Sequence, residues 1–354
     1  MIYHGQPSWL PGGFVGVDMF FVISGYLITS ILVKDYLEGR FSYASFYERR
    51  VRRLIPALLV CLSVSAFAGY VWLLPSDRRE TFHSLTYVSL FLSNIFFFKH
   101  SGYFDTASEL KPLLHTWSLA VEEQFYLIFP VLLVFLLPKR ARWTSAAIGL
   151  LLVVSLVTSI WLNRSSPNAG FYLLPARGWE LLAGSLCALL ARRTTMVTPR
   201  DGVAHALATL GLVSISVSLF AIDASTASPF PVPALAVIGT CLIIISSEHA
   251  TVVRALLSVR PLVGIGLISY SAYLWHQPIL VFARHRQLEK LSELQVLVLL
   301  SLTLTVAWFS WKWIEQPIRR KAVVAGRGIW VLVAVSTVGL AVLGAAGRLV
   351  SLDA

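Results

Sequence analysis

Charge is scarce in this sequence. Asp, Glu, Lys and Arg make up 13% of its 354 residues, against about 25% in a soluble domain. That shortage excludes an ordinary water-exposed globule. Cysteine is scarcer. Cys61, Cys187 and Cys241 each sit in an apolar run, with no C-x-x-C or Cys/His spacing. A disulfide framework and a zinc site are excluded on that ground, and the thiols are expected to act as small buried hydrophobes. Internal repeats and low-complexity segments are also lacking, which excludes a solenoid. The net charge of +11 raises the question of nucleic acid. The basic residues punctuate apolar runs instead of forming one stripe, so no nucleic-acid partner is expected.

What the chain has is apolar length. Hydrophobic residues make up 56% of it, and runs of about 20 recur throughout, enough to cross a bilayer. The expected fold is all-α: a polytopic transmembrane helix bundle in the lipid bilayer, with about ten visible spans. These are placed at 14–33, 54–74, 116–137, 144–163, 175–191, 203–222, 232–248, 262–283, 294–314 and 328–350. Lys and Arg set the orientation. Loops 34–53, 138–143, 192–202, 249–261 and 312–327 hold nineteen of the 29 basic residues and are expected in the cytoplasm. Loops 75–80, 164–174, 223–231 and 284–293 then face out. By the same parity the apolar run 81–98 is expected to enter the membrane without crossing it. Only four residues precede the turn GQPSWLPGG. The first span is therefore expected to be truncated, with the natural start upstream or the chain a piece.

Several polar residues fall inside or beside spans, where ionised groups are costly. Asp18 sits among Gly12, Gly13, Gly16 and Gly25, and needs a buried partner. The run FYERRVRR places Arg49, Arg50, Arg52 and Arg53 within five residues. Arg49 with Arg52, or Arg50 with Arg53, share a helix face and suit phosphate, or else anchor the chain beside anionic lipid. Adjacent Glu122 and Glu123 point about 100° apart on a helix, so one meets a site and the other does not. His115 lies one or two turns away. Arg177 and Glu180, three apart, read as a local ion pair or as substrate groups. His276 follows Tyr273 near the outer end of its span, either packed or functional. His4 stands before PGG, an imidazole that can take a proton at physiological pH.

Together these stretches resemble the acyltransferase family 3 membrane proteins, of the O-antigen and peptidoglycan O-acetylase type. The resemblance is carried by H-x6-PGGFVGVDMFFVISGYLIT at 4–29, FYERRVRRLIPAL at 46–58, GYFDTASELKPLLHTWSLAVEEQFYLIFP at 102–130, ISYSAYLWHQPIL at 268–280 and SWKWIEQPIRR at 310–320. It implies a membrane O-acyltransferase of the bacterial inner membrane, moving acetyl from acetyl-CoA to a hydroxyl of an extracytoplasmic glycan acceptor such as lipopolysaccharide O-antigen or peptidoglycan. No tightly bound cofactor is implied. His4 matches the family's catalytic histidine, Arg49–Arg53 contain its R-x-x-R motif on the acetyl-CoA side, and Glu122 fits its recurrent glutamate better than Glu123. Glu122 or Asp18 is expected to orient His4, while His115, Glu123, Arg177, Glu180, Tyr273 and His276 are expected near the acceptor. The family's first-helix arginine, about ten residues before the histidine, has no counterpart here.

Residues 1–320 are expected to be the membrane domain. Residues 321–354 are expected to be a cytoplasmic linker and an extra helix that leaves the C-terminus outside. That extra span resembles the subgroup with a periplasmic SGNH domain, which is expected as a partner beyond this chain. A glycan or lipid-linked sugar transporter, or an inactive family member, is the alternative.

Overall fold

The computed structural model describes residues 1–100, 108–138, 141–194, 201–222, 232–246, 251–287, 290–321, 326 and 328–350. Loop 223–231, Lys139, Arg140, Arg200, Arg327 and the start of the 102–130 motif lie outside them. Among the described residues there are helices and turns and no strand. In chain order the helices are α1 (Ile2–Gly5), α2 (Gly16–Leu37), α3 (Tyr43–Trp72), α4 (Pro75–Ser89), α5 (Ser93–Lys99), α6 (Thr116–Leu136), α7 (Ala141–Ser165), α8 (Pro167–Tyr172), α9 (Leu174–Thr194), α10 (Asp201–Phe220), α11 (Val232–Ser246), α12 (Thr251–Leu257), α13 (Arg260–His285), α14 (Glu293–Ser310), α15 (Gln316–Arg319) and α16 (Gly328–Val350). A π-helical turn, Trp311–Glu315, joins α14 to α15.

Among the described residues eight helices are long and apolar enough to cross a membrane, which bears out the all-α polytopic class; the ten spans expected from the sequence include α11 and α13 beside these. α11 is described over 15 residues, with residues outside the description on both sides of it. α13 has 26 residues but carries Tyr270, Ser271, Tyr273, His276 and Gln277, which lower its hydropathy. Two boundaries also move. α3 begins at Tyr43, capped by Ser42, so Arg49–Arg53 lie on a helix, as their expected shared face requires, and the loop before the span is shorter than 34–53. The span expected at 294–314 continues helically to Arg319. The run 81–98 is broken, as its expected failure to cross requires. α4 ends at Ser89, Phe91 takes a positive φ of 54°, and α5 has only seven residues.

The chain divides into two units. The first comprises Met1–Gln6, Ser42–Ala120 and Gly264–Ala354. In it α16 lies against α4 and α3. A side chain at Gly344 or Gly347 would collide with Thr86 or Phe82, so small residues let α16 approach closely. α3 meets α13 through Tyr270 Oη donating to the Leu54 carbonyl at 2.7 Å and Cys61 Sγ donating to that of Leu274 at 3.3 Å.

The second unit comprises Pro7–Phe41 and Val121–Val263. Its centre is the crossing of α2 and α9. A Cβ on Gly25 would meet the Leu181 carbonyl, and one on Gly184 the Val22 carbonyl, so each helix offers a glycine to the other's backbone. Gly12 is equally close to the Ser218 carbonyl, while Gly16 faces open space. In both units large apolar side chains such as Phe67, Phe135, Trp161 and Val335 stand exposed, a surface suited to hydrocarbon.

Candidate active site

In the first unit three chain segments each supply an imidazole to one cluster. His4 comes from α1, His115 from the residue before α6, and His276 from α13. The ring centroids of His4 and His276 are 5.3 Å apart, and those of His115 and His276 are 5.4 Å apart. Tyr273 completes the group, 5.3 Å from His115. Tyr273 and His276 share a face because they are three apart on a helix. His115 and His276 are buried, and His4 is partly buried.

Hydrogen bonds assign roles within the cluster. His276 Nδ1 lies 2.6 Å from the Tyr273 carbonyl oxygen. A carbonyl only accepts, so Nδ1 carries the proton and Nε2 carries the lone pair. The Tyr273 hydroxyl donates to the His115 carbonyl and lies 2.5 Å from Ser118 Oγ, so it holds the backbone. Neither ring nitrogen of His115 has a well-formed hydrogen bond among the described residues, beyond an approach to the Leu274 carbonyl. A buried imidazole left so is a group in wait of a ligand. Burial, helped by the positive charges of the N-terminal amine and then of Arg284, pushes the His4 imidazole down to about 4. Burial, with His4 beside it, pushes His115 down to about 3. Both are neutral at pH 7 and able to accept a proton. No group of three or more His, Cys, Asp and Glu side chains among the described residues is arranged to hold a metal ion.

The four arginines of α3 divide by exposure. Arg49 and Arg53, one turn apart, are exposed, and Arg50 is half-buried. Arg52 is buried, 2% exposed. Its Nε donates to Glu48 Oε1 at 2.9 Å, and its two arms donate to the carbonyls of Ile318 and Gly326 at 3.4 and 3.2 Å. It ties the segment after α14 to α3. Arg49 contacts Ser45 Oγ at 2.9 Å and keeps the outer face of the helix.

The second unit holds the remaining candidates. Asp18 finds its partner in Arg177, at 2.7 Å, and the same guanidinium reaches Glu180 at 3.2 Å. Phe21 and Phe171 flank it at 5.7 and 5.9 Å. All three charged groups are buried, so two carboxyl groups share one cation. Glu122 is buried while Glu123 is half-buried, the split that helix geometry requires. Glu122 Oε1 accepts from the hydroxyls of Ser24 and Tyr126.

Sequence reasoning thus singled out His4, His115, Tyr273 and His276, which the first unit brings together, and Asp18, Arg177 and Glu180, which the second does. It missed Arg284, Gln277 and the pair of buried Lys111 with half-buried Glu80 at 2.6 Å. One signal was there. Arg284 opens the segment 284–293 that the charge rule expects to face out, where arginine has no topological role.

A family model described as an acyltransferase domain matches residues 2–312. Peptidoglycan O-acetyltransferase OatA of Listeria monocytogenes serovar 1/2a is 33% identical over 336 residues, covering 90% of this chain and 53% of that protein. O-acetyltransferase OatA of Staphylococcus aureus strain NCTC 8325 is 33% identical over 344 residues, covering 91% and 55%. The putative peptidoglycan O-acetyltransferase YrhL of Bacillus subtilis strain 168 is 33% identical, covering 90% and 52%. The chain spans about half the length of these relatives. No solved structure matches it. The chain belongs to acyltransferase family 3.

Proposed function

We propose that this chain is the membrane part of an O-acyltransferase that moves an acetyl group from acetyl-CoA to a hydroxyl of a cell-wall glycan. The observation that carries this reading is the meeting of His4, His115 and His276 from three distant segments. The relatives' names, which speak of peptidoglycan, favour a wall glycan over lipopolysaccharide O-antigen as acceptor.

In this reading the sugar hydroxyl oxygen attacks the thioester carbonyl carbon. A C–O bond forms and the C–S bond breaks. The hydroxyl proton passes to the neutral imidazole of His4 and from there to the departing thiolate of coenzyme A, leaving an ester and a thiol. His115 and His276 Nε2 hold the acceptor hydroxyl or the developing charge. Arg49, Arg50 and Arg53 take the nucleotide phosphates of the donor. Arg52, Asp18, Arg177 and Glu180 serve the scaffold, and Glu122 holds Ser24 and Tyr126.

The test is transfer of radiolabel from acetyl-CoA to a glycan. The intact protein in proteoliposomes is given labelled acetyl-CoA outside and an oligomer of N-acetylglucosamine as acceptor. Alkali-labile label on the oligomer is the expected result. Label that never leaves coenzyme A, with the oligomer carried across the bilayer, would establish the transporter instead.

A further inference from the structure

The cluster depends on a side chain outside it. Arg284 lies in the last turn of α13. Its guanidinium donates through Nη2 to the carbonyl of His4 and through Nη1 to that of Glu109, at 3.3 Å. Neighbours on α13 hold the same stretch of backbone. His285 reaches the Leu110 carbonyl at 3.0 Å and Gln277 that of Lys111 at 3.4 Å. These carbonyls precede α6, and that of Lys111 also accepts from the Leu114 amide at 3.2 Å. Arg284 differs from the others in also gripping His4. That grip matters because α1 has four residues, too few for a helix to hold its own geometry.

We propose that Arg284 is a positioning residue for His4: its planar fork fixes the backbone of α1 against the segment leading to His115, and so sets the His4 imidazole beside His276. Two carbonyls held by one fork suit guanidinium and not ammonium, which is a point charge. The inference rests on reading His4 as the general base. The titratable groups around His4 are the N-terminal amine and Tyr3 on its own segment, His115, His276 and Arg284. Glu109 lies near Tyr3, and α14 meets Gly5 with the apolar Val296 and Leu300.

The experiment compares Arg284→Gln, Arg284→Lys and His4→Ala in the intact protein. Coenzyme A release from acetyl-CoA is followed with an N-acetylglucosamine oligomer as acceptor. Arg284→Gln should lower kcat by about 100-fold, the cost of a misplaced group, with KM for acetyl-CoA within about twofold. It should also raise the acid limb of the pH profile, because losing a nearby positive charge favours the imidazolium of His4. Arg284→Lys should keep the limb where it is and still lose about tenfold in kcat. If Arg284→Gln does not yield folded protein, Arg284→Lys alone decides by its kcat. Parental kcat in either variant overturns the proposal, as does a fall in Arg284→Gln with an unmoved limb. A His4→Ala variant that still turns over sinks the general-base reading itself. A dead His4→Ala beside parental Arg284 variants sinks only the positioning role.

Discussion

His276 Nδ1 donates to the carbonyl of Tyr273, 2.6 Å away on the same helix. That bond fixes the tautomer, so Nε2 is the nitrogen that faces chemistry. His276→Asn keeps a donor near Nδ1 and removes Nε2. Turnover should fall by about 100-fold or more, with the melting temperature in detergent little changed. Steady-state kinetics beside a melting curve check this, and full turnover would make His276 a packing residue.

The pH profile follows from the lowered values of His4 and His115. A base works in its neutral form, which exists above its own pKa. An unperturbed imidazole would lose activity as pH falls through about 6.5. With His4 held near 4, the acid limb of kcat/KM should lie between pH 4 and 5. A limb at 6.5 would mean that His4 is solvated in the working enzyme.

The arginines of α3 should separate by role. Arg49→Ala and Arg53→Ala, on the exposed face, should raise KM for acetyl-CoA by about tenfold each while sparing folding. Arg52→Ala strands two carbonyls and leaves Glu48 to Lys321 alone, so it should lower thermal stability by about 2–3 kcal/mol. Titration with acetyl-CoA and melting curves tell them apart.

Arg177 neutralises two buried carboxyl groups. Removing it leaves both without their cation, so Arg177→Ala should cost about 3–5 kcal/mol and reduce the yield of folded protein. Asp18→Asn with Glu180→Gln in that background should restore much of the loss. Detergent melting temperatures of the parent and the two variants measure the coupling. No rescue would mean that Arg177 acts through packing on Phe21 and Phe171.

Hydropathy made most spans legible, because membrane helices declare themselves by apolar length. It failed where function intrudes. α13 is polar in its middle because it carries Tyr273 and His276. α3 starts early because Arg-rich turns favour helix as much as apolar ones do. In the site, the need of Asp18 for a partner was legible, but the partner's identity was not, since Arg177 is 159 positions away. Arg284 was less legible still. It acts on the backbone of a segment 280 residues away, and a carbonyl leaves no mark in a side-chain pattern.

The central claim is that His4 takes the proton of the acceptor hydroxyl. His4→Ala in the intact protein, assayed for acetyl transfer from labelled acetyl-CoA to an N-acetylglucosamine oligomer, tests it most directly. The account predicts loss of at least about 100-fold in kcat, with parental expression and unchanged acetyl-CoA binding. Transfer at the parental rate would contradict it.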